Sequence, residues 1–182
     1  QWYLLVAFVP SSGYLVILFR NVTSLKNAEI ALEEKQVALD ASRALSQSIF
    51  DNSPFAVIIY SVSGTGASSK DYIIQGVNAA CLKMENWHIE DVIGKPLREV
   101  RPGVEEFGIV DMFRQVFETG KTVHYPAKIY KDDGWHRWYE NTIFKLPTGE
   151  IVAAYDDVTE AKQAEEDHFA EKERLKVTLY SI

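Results

Sequence analysis

The chain contains an internal repeat in which residues near its N-terminus recur 136 positions later without a gap. Trp2 corresponds to Trp138, and Gly13 corresponds to Gly149. The other matched pairs are Phe8 with Phe144, Val22-Thr23 with Val158-Thr159, and Ala28-Glu29 with Ala164-Glu165. This period is longer than the roughly 20 to 50 residues of solenoid and propeller repeats. The repeat therefore predicts tandem whole domains.

Each copy has the pattern of two strands followed by a helix. An aromatic-rich strand, a turn, a second apolar strand and an Asn/Asp-Val-Thr triplet lead into a charged segment rich in Ala and Glu. The first amides of a helix lack partners within it, and Asp157 or Thr159 can accept hydrogen bonds from them. The triplet resembles the C-terminal end of a PAS domain, whose last strand runs through Asp-Ile/Val-Thr into a linker helix. The resemblance makes Asp157 and Thr159 candidate signal-relay residues.

Two further segments resemble the PAS family. Asn78-Ala79-Ala80 is similar to the Asn-x-Ala that opens the first helix of a PAS domain, and Ile93-Gly94-Lys95-Pro96 is similar to its Ile-Gly-Lys-Pro step. We expect structural roles for both segments. Asn78 should cap a helix, and Gly94 should adopt a backbone conformation that a Cβ would hinder.

The order of predicted elements agrees with this resemblance. Strand patterns at 55–62 and 71–77 precede a helical stripe at 107–119, which contains Ile109, Val110, Phe113, Val116 and Phe117. A hairpin follows, with strands at 121–130 and 135–146 and an Asp-Gly turn between them. We therefore predict an α+β fold: a PAS-like five-stranded antiparallel sheet with helices on one face, flanked by long amphipathic linker helices.

The repeat and the resemblance predict four segments. Residues 1–23 are the C-terminal strand hairpin of an upstream PAS domain, residues 24–50 a coiled-coil-like linker helix, residues 51–159 a PAS domain, and residues 160–182 a linker helix leading to a further domain. Leu25, Leu32 and Leu39 recur every seven residues, which favours a homodimer held by the linker helix. The alternative is a helix that packs on its own domain.

Charge and composition exclude several kinds of partner. The net charge of −7 argues against nucleic-acid binding, which depends on Lys and Arg contacts to phosphates. The single cysteine, Cys81, excludes an intramolecular disulfide and fits a cytoplasmic location. Residues 2–19 carry no charge, but Pro10 and Gly13 interrupt them with turn chemistry, so we predict a hairpin and no membrane segment.

The residues that could support catalysis or bind a metal do not form a convincing site. Asp132-Asp133 and Asp156-Asp157 fit turn and cap roles, so no catalytic pair is predicted. If the hairpin turns at Asp132-Asp133, His124 and His136 lie on opposite faces of the sheet, and we predict no metal site.

The PAS resemblance also bears on ligands. Haem and photoactive flavin are unsupported, because helix 107–119 lacks histidine and Cys81 does not lie in the flavin-binding Asn-Cys-Arg motif. A pocket for a small organic ligand is expected between the sheet and the long helix. Its candidate lining residues are Ile59, Met84, Phe113, Phe117, Tyr125, Trp138 and Tyr155.

The resemblance implies a non-catalytic, signal-sensing and dimerising module. It would relay ligand or conformational signals through its linker helices to an output domain outside these residues, such as a histidine kinase or diguanylate cyclase. The alternative is a protein-interaction scaffold with a filled core and no ligand.

Overall fold

The structure is a computed structural model that describes residues 1–10, 13–132 and 135–180. The chain divides into two compact units, Gln1–Ile49 and Phe50–Ile182. No helix among the described residues has both the length and the apolar composition needed to cross a bilayer.

The first unit consists of a hairpin followed by most of a long helix. Strand β1 (Tyr3–Phe8) pairs antiparallel with β2 (Val16–Asn21), and helix α1 spans Thr23–Asp51. None of the described residues of α1 is buried, and most of the hairpin's apolar side chains are also exposed. The described residues of this unit therefore form no hydrophobic core.

The second unit contains a five-stranded antiparallel sheet, which confirms the predicted fold class. The strands are β3 (Ala56–Val62), β4 (Tyr72–Val77), β5 (Val123–Asp132), β6 (Trp135–Lys145) and β7 (Ile151–Asp157). Their order across the sheet is β4-β3-β7-β6-β5, so the first strand of the domain pairs with the last. Ala56, Ile58 and Tyr60 are buried at alternate positions of β3, as expected when one sheet face covers the core.

Five short helices lie between β4 and β5 in the chain. They are α2 (Ala79–Glu85), α3 (Ile89–Val92), α4 (Leu97–Val100), α5 (Val104–Phe107) and α6 (Ile109–Thr119). Helix α7 (Thr159–Tyr180) follows the last strand. Asn78 caps α2 by accepting the Cys81 N–H at 2.9 Å, and it also bonds backbone groups of Val57, Phe50 and Phe55. Gly94 has a φ of +79°.

The predicted helix 107–119 is divided in the structure. Gly108, with a φ of +82°, ends α5 and precedes α6. Buried residues of α6 include Ile109, Val110, Phe113 and Val116, while Phe117 is only partly buried.

The predicted register of the β5–β6 hairpin is wrong by one or two residues. His124 pairs with Thr142 and His136 pairs with Lys131, and the register shifts between Tyr125 and Lys128. Both histidines consequently share the outer face of the sheet, since Thr142 and His136 are an even number of residues apart on β6. Residues 133 and 134 of the predicted Asp-Gly turn lie outside the described residues.

Candidate functional site

A partly open cavity of about 60 Å³ lies between the sheet and helices α4 to α6. Its apolar wall consists of Ile58, Leu97, Val104, Phe107, Ile109, Phe113 and Ala153. Its polar wall consists of Tyr60, Glu85, Arg101, Tyr130, Tyr139, Asn141 and Tyr155. A mostly apolar cavity with a few placed polar groups is typical of a small-molecule site.

One charged pair contributes to the polar wall. Glu85 is 5% exposed, and its Oε2 forms an ion pair with the Arg101 guanidinium. The guanidinium also lies over two aromatic rings, 4.8 Å from the centroid of Trp87 and 5.2 Å from that of Tyr130. Burying two charges is tolerable only when they compensate one another and have further polar or aromatic contacts. The pair therefore carries no net charge into the cavity.

Local structure explains how Glu85 and Arg101 meet. Glu85 is the last residue of α2, which ends because Asn86 adopts a left-handed conformation with a φ of 54°. Arg101 follows α4 and precedes Gly103, whose hypothetical Cβ would lie only 2.5 Å from the Lys131 carbonyl oxygen. Only glycine permits such a close approach, so this turn holds Arg101 beside β5.

Two tyrosine hydroxyls and one thiol complete the surroundings of Glu85. The Tyr155 hydroxyl donates to Glu85 Oε1 at 2.9 Å, and the Tyr139 hydroxyl lies 3.5 Å from Oε2. Cys81 Sγ lies 3.2 Å from the Tyr155 oxygen. Burial raises the pKa of the Cys81 thiol to about 11 and raises the pKa of Tyr155 well above its ordinary value. Both groups are therefore uncharged near neutral pH.

Asn141 of this wall has unmet hydrogen-bonding capacity. It is 4% exposed, and among the described residues its Nδ2 atom is buried without a hydrogen-bond partner. Most buried polar groups in proteins do have partners, because an unpaired donor costs about 1 to 3 kcal/mol. A ligand that accepts a hydrogen bond from Nδ2 would remove this cost.

Of the seven residues predicted to line the pocket, two lie on the cavity wall and five do not. Phe113 and Tyr155 lie on the cavity wall. Ile59, Met84, Phe117, Tyr125 and Trp138 do not line the cavity. Tyr125 instead donates its hydroxyl hydrogen bond to the Phe107 carbonyl at 2.6 Å.

Strand alternation explains why Trp138 does not line the cavity. Tyr139, Asn141 and Ile143 are buried at alternate positions of β6 and face the core. Trp138 is offset from them by one residue and therefore lies on the other face of the sheet. Ile59 has the same outward position in β3, between the buried residues Ile58 and Tyr60.

The two predicted signal-relay residues lie where β7 passes into α7. The Thr159 N–H donates to Asp157 Oδ1 at 3.0 Å, and the Trp138 N–H donates to Thr159 Oγ1 at 2.8 Å. Asp157 also forms an ion pair with Arg137 at 2.7 Å. These contacts connect β6, β7 and the start of α7.

The same joint occurs at the end of the first hairpin. The Thr23 N–H donates to Asn21 Oδ1 at 3.0 Å, and the Trp2 N–H donates to Thr23 Oγ1 at 2.8 Å. The Val22 N–H donates to the Trp2 carbonyl, as the Val158 N–H donates to the Trp138 carbonyl. The two copies of the sequence repeat therefore form equivalent hydrogen bonds at their strand-to-helix joints.

Glu85, Arg101 and Asn141 were not predicted from the sequence to line the cavity. Asn141 did give a signal, since it occupies an inward position between Tyr139 and Ile143, where a polar residue is unusual. Glu85 is the last residue of the short helix α2 and Arg101 follows the short helix α4, and charged residues in such places are most often solvated. Nothing in the sequence indicates that they meet.

Comparison with known proteins identifies the family. The model of the PAS fold family matches residues 50–163, and the chain belongs to this family. No curated protein sequence matches the chain significantly.

The structure is also similar to several solved structures. An RNA-binding light-oxygen-voltage receptor is 15% identical with a TM-score of 0.53; the match covers 74% of this chain and 38% of the receptor. A light-oxygen-voltage protein of Rhodobacter sphaeroides is 12% identical with a TM-score of 0.50, covering 67% and 69% of the two chains. The PAS domain of BvgS from Bordetella pertussis is 16% identical with a TM-score of 0.49, covering 76% and 98%. At these identities, the likeness to the first two structures shows the fold alone.

Proposed function

We propose that residues 51–159 form a sensory PAS module that binds a small ligand in the cavity and relays its presence through α7 to an output domain elsewhere in a signalling protein. Family membership supports a sensory role, and no catalytic role is assigned to the described residues. The main support for the proposal is that a few neighbouring residues of β6 and β7 connect the cavity to the start of α7.

This path runs along neighbouring residues of two paired strands. Tyr139 and Asn141 of β6 line the cavity and pair with Asp157 and Tyr155 of β7, respectively. Asp157 then accepts a hydrogen bond from Thr159, the first residue of α7. No glycine or proline interrupts this segment, so a ligand that moves Tyr139 or Tyr155 would also shift the start of the helix.

The internal repeat supports two further parts of the proposal. Residues 1–23 would be the end of an upstream PAS domain, because their joint repeats the hydrogen bonds found at the end of the second domain. Residues 24–50 and 160–182 would be linker helices, the first of which would hold a homodimer through Leu25, Leu32 and Leu39. These leucines are 66%, 71% and 45% exposed.

Mass spectrometry of small molecules released from the purified protein tests the ligand-binding role. We expect one compound to be enriched over a matched sample of the Ala153→Leu variant, whose larger side chain would fill the cavity. The compound should also raise the melting temperature of the wild-type protein, because a ligand that binds only the folded state stabilises it.

The protein-interaction scaffold is the alternative, and the small volume of the cavity favours it. If no compound is enriched over the Ala153→Leu sample, and cell extract does not change the melting temperature, the scaffold replaces the sensor as the better account.

A further inference from the structure

The chemistry of the cavity wall limits the class of ligand that it can hold. Glu85 and Arg101 compensate each other, and the other described residues of the lining include no Asp, Glu, Lys, Arg or His. A charged ligand would therefore introduce a buried charge without a partner, which is strongly unfavourable. The site as built suits an uncharged molecule.

The orphaned Asn141 Nδ2 determines which polar group that molecule needs. Nδ2 is a hydrogen-bond donor without a partner among the described residues, and almost none of its surface is accessible, so a ligand oxygen contacts it only once the Asn141 amide turns toward the cavity. Apolar side chains of Ile58, Phe113 and Ala153 line the same cavity. The complementary ligand has one hydrogen-bond acceptor and a compact apolar body.

The volume of the cavity limits the size of that ligand. A water molecule requires roughly 10 to 15 Å³ of cavity volume measured in this way, so about 60 Å³ accommodates roughly four to six non-hydrogen atoms. Haem and flavin are far larger than this.

We propose that the cavity binds a small uncharged molecule, such as a ketone, amide or alcohol of about four to six non-hydrogen atoms, whose oxygen accepts a hydrogen bond from Asn141 Nδ2. This assignment rests on the proposed ligand-sensing function and specifies its ligand class.

Three probes of similar size test the assignment. Cyclopentanone is uncharged and has a carbonyl acceptor, isobutyrate is charged, and cyclopentane has no acceptor. In ¹H–¹⁵N NMR titrations of the whole chain, we expect cyclopentanone to bind and to shift the side-chain amide signals of Asn141. Isobutyrate should bind at least tenfold more weakly.

Asn141→Leu is the decisive variant, because leucine is similar in size to asparagine but cannot donate. We expect it to weaken cyclopentanone binding at least tenfold while cyclopentane binds at least as tightly as before. Its melting temperature should equal or exceed that of the wild type, since an unpaired buried donor has been removed. Asn27→Leu, the same change at an exposed position of α1, should leave all three affinities unchanged.

Three results would overturn the assignment: equal cyclopentanone affinity in the wild type and Asn141→Leu, tighter binding of isobutyrate than of cyclopentanone, or no binding of any probe. A lower melting temperature of Asn141→Leu in the absence of probes would also count against it, because Asn141 would then have a structural role. If a charged compound is released from the wild type but not from Ala153→Leu, the sensor function stands and only the ligand class is wrong.

Discussion

Asn141 and the Glu85–Arg101 pair contribute to the cavity in different ways. Asn141 is buried with an unmet donor, whereas Glu85 and Arg101 compensate each other and receive additional contacts from Tyr139, Tyr155 and nearby aromatic rings. Removing one member of a buried ion pair leaves an uncompensated charge, and that loss exceeds the net contribution of the intact pair. The two members should therefore be strongly coupled.

Arg101→Met tests this coupling. We expect a loss of about 3 to 5 kcal/mol in the free energy of unfolding, because Glu85 is left buried without its partner. Glu85→Gln should cost about 1 to 3 kcal/mol. The double variant should lose less than the sum of the two single losses, as measured by urea unfolding.

The exposed pair Lys95 and Glu99 provides the control. Its side chains are 42% and 59% exposed, and Lys95→Met should cost no more than about 1 kcal/mol. A loss below 1 kcal/mol for Arg101→Met as well would show that the buried pair is not coupled.

At the scale of elements, the sequence predicts the strands and their order along the chain well. Alternating apolar residues and turn signals identify β3 to β6, because they report local conformation and one-sided burial. The details of the β5–β6 hairpin are not local. The irregularity between Tyr125 and Lys128, a segment that includes Pro126, changes which residues pair, and a shift of one residue moves a side chain to the other face.

The residues that line the cavity could be predicted only in part, because long-range packing decides which side chains face it. Phe113 belongs to an apolar helical stripe that is visible in the sequence. The neighbours of Trp138 depend on the face of β6 that the helices cover, and the pairing of Glu85 with Arg101 depends on how α2 and the segment after α4 pack. Such long-range contacts leave no local pattern.

The joint between β7 and α7 gives the prediction at this scale. Asp157→Ala removes an acceptor from the start of the helix and an ion pair with Arg137, and we expect it to cost about 0.5 to 2 kcal/mol of stability. In the full-length protein, the output should no longer respond to the activating signal, because fewer bonds then fix the helix to the sheet, those of Val158 and Thr159 to Trp138.

Asn21→Ala is the matched control at the first joint, where Asn21 accepts the equivalent hydrogen bond from Thr23. It should leave the stability of the second unit unchanged in urea unfolding. A normal signal response of Asp157→Ala in the output assay would show that Asp157 is an ordinary helix cap.

For the molecule as a whole, the uneven distribution of buried surface is informative. The second unit has an extensive core, whereas α1 has no buried residue and its leucines at seven-residue spacing are exposed. Exposed leucines with this spacing are typical of a helix that pairs with a second copy. The proposed homodimer would bury them.

Leu32→Asp combined with Leu39→Asp tests the homodimer. The two carboxylates would lie in the seam, and we expect light scattering to report a monomer with an intact second unit. Ile30→Asp combined with Ala41→Asp adds the same charge on the opposite side of the helix and should leave the dimer intact. A folded dimer of the first variant would place the interface elsewhere.

The small volume of the cavity has a kinetic consequence. Small ligands gain at most about 1.5 kcal/mol per non-hydrogen atom, so a ligand of about six atoms gains at most about 9 kcal/mol, which corresponds to a dissociation constant of about 0.3 μM. With an association rate constant on the order of 10⁶ M⁻¹s⁻¹, such a ligand would leave within seconds. A sensor with this cavity would follow the current concentration of its ligand and would keep no record of an earlier exposure.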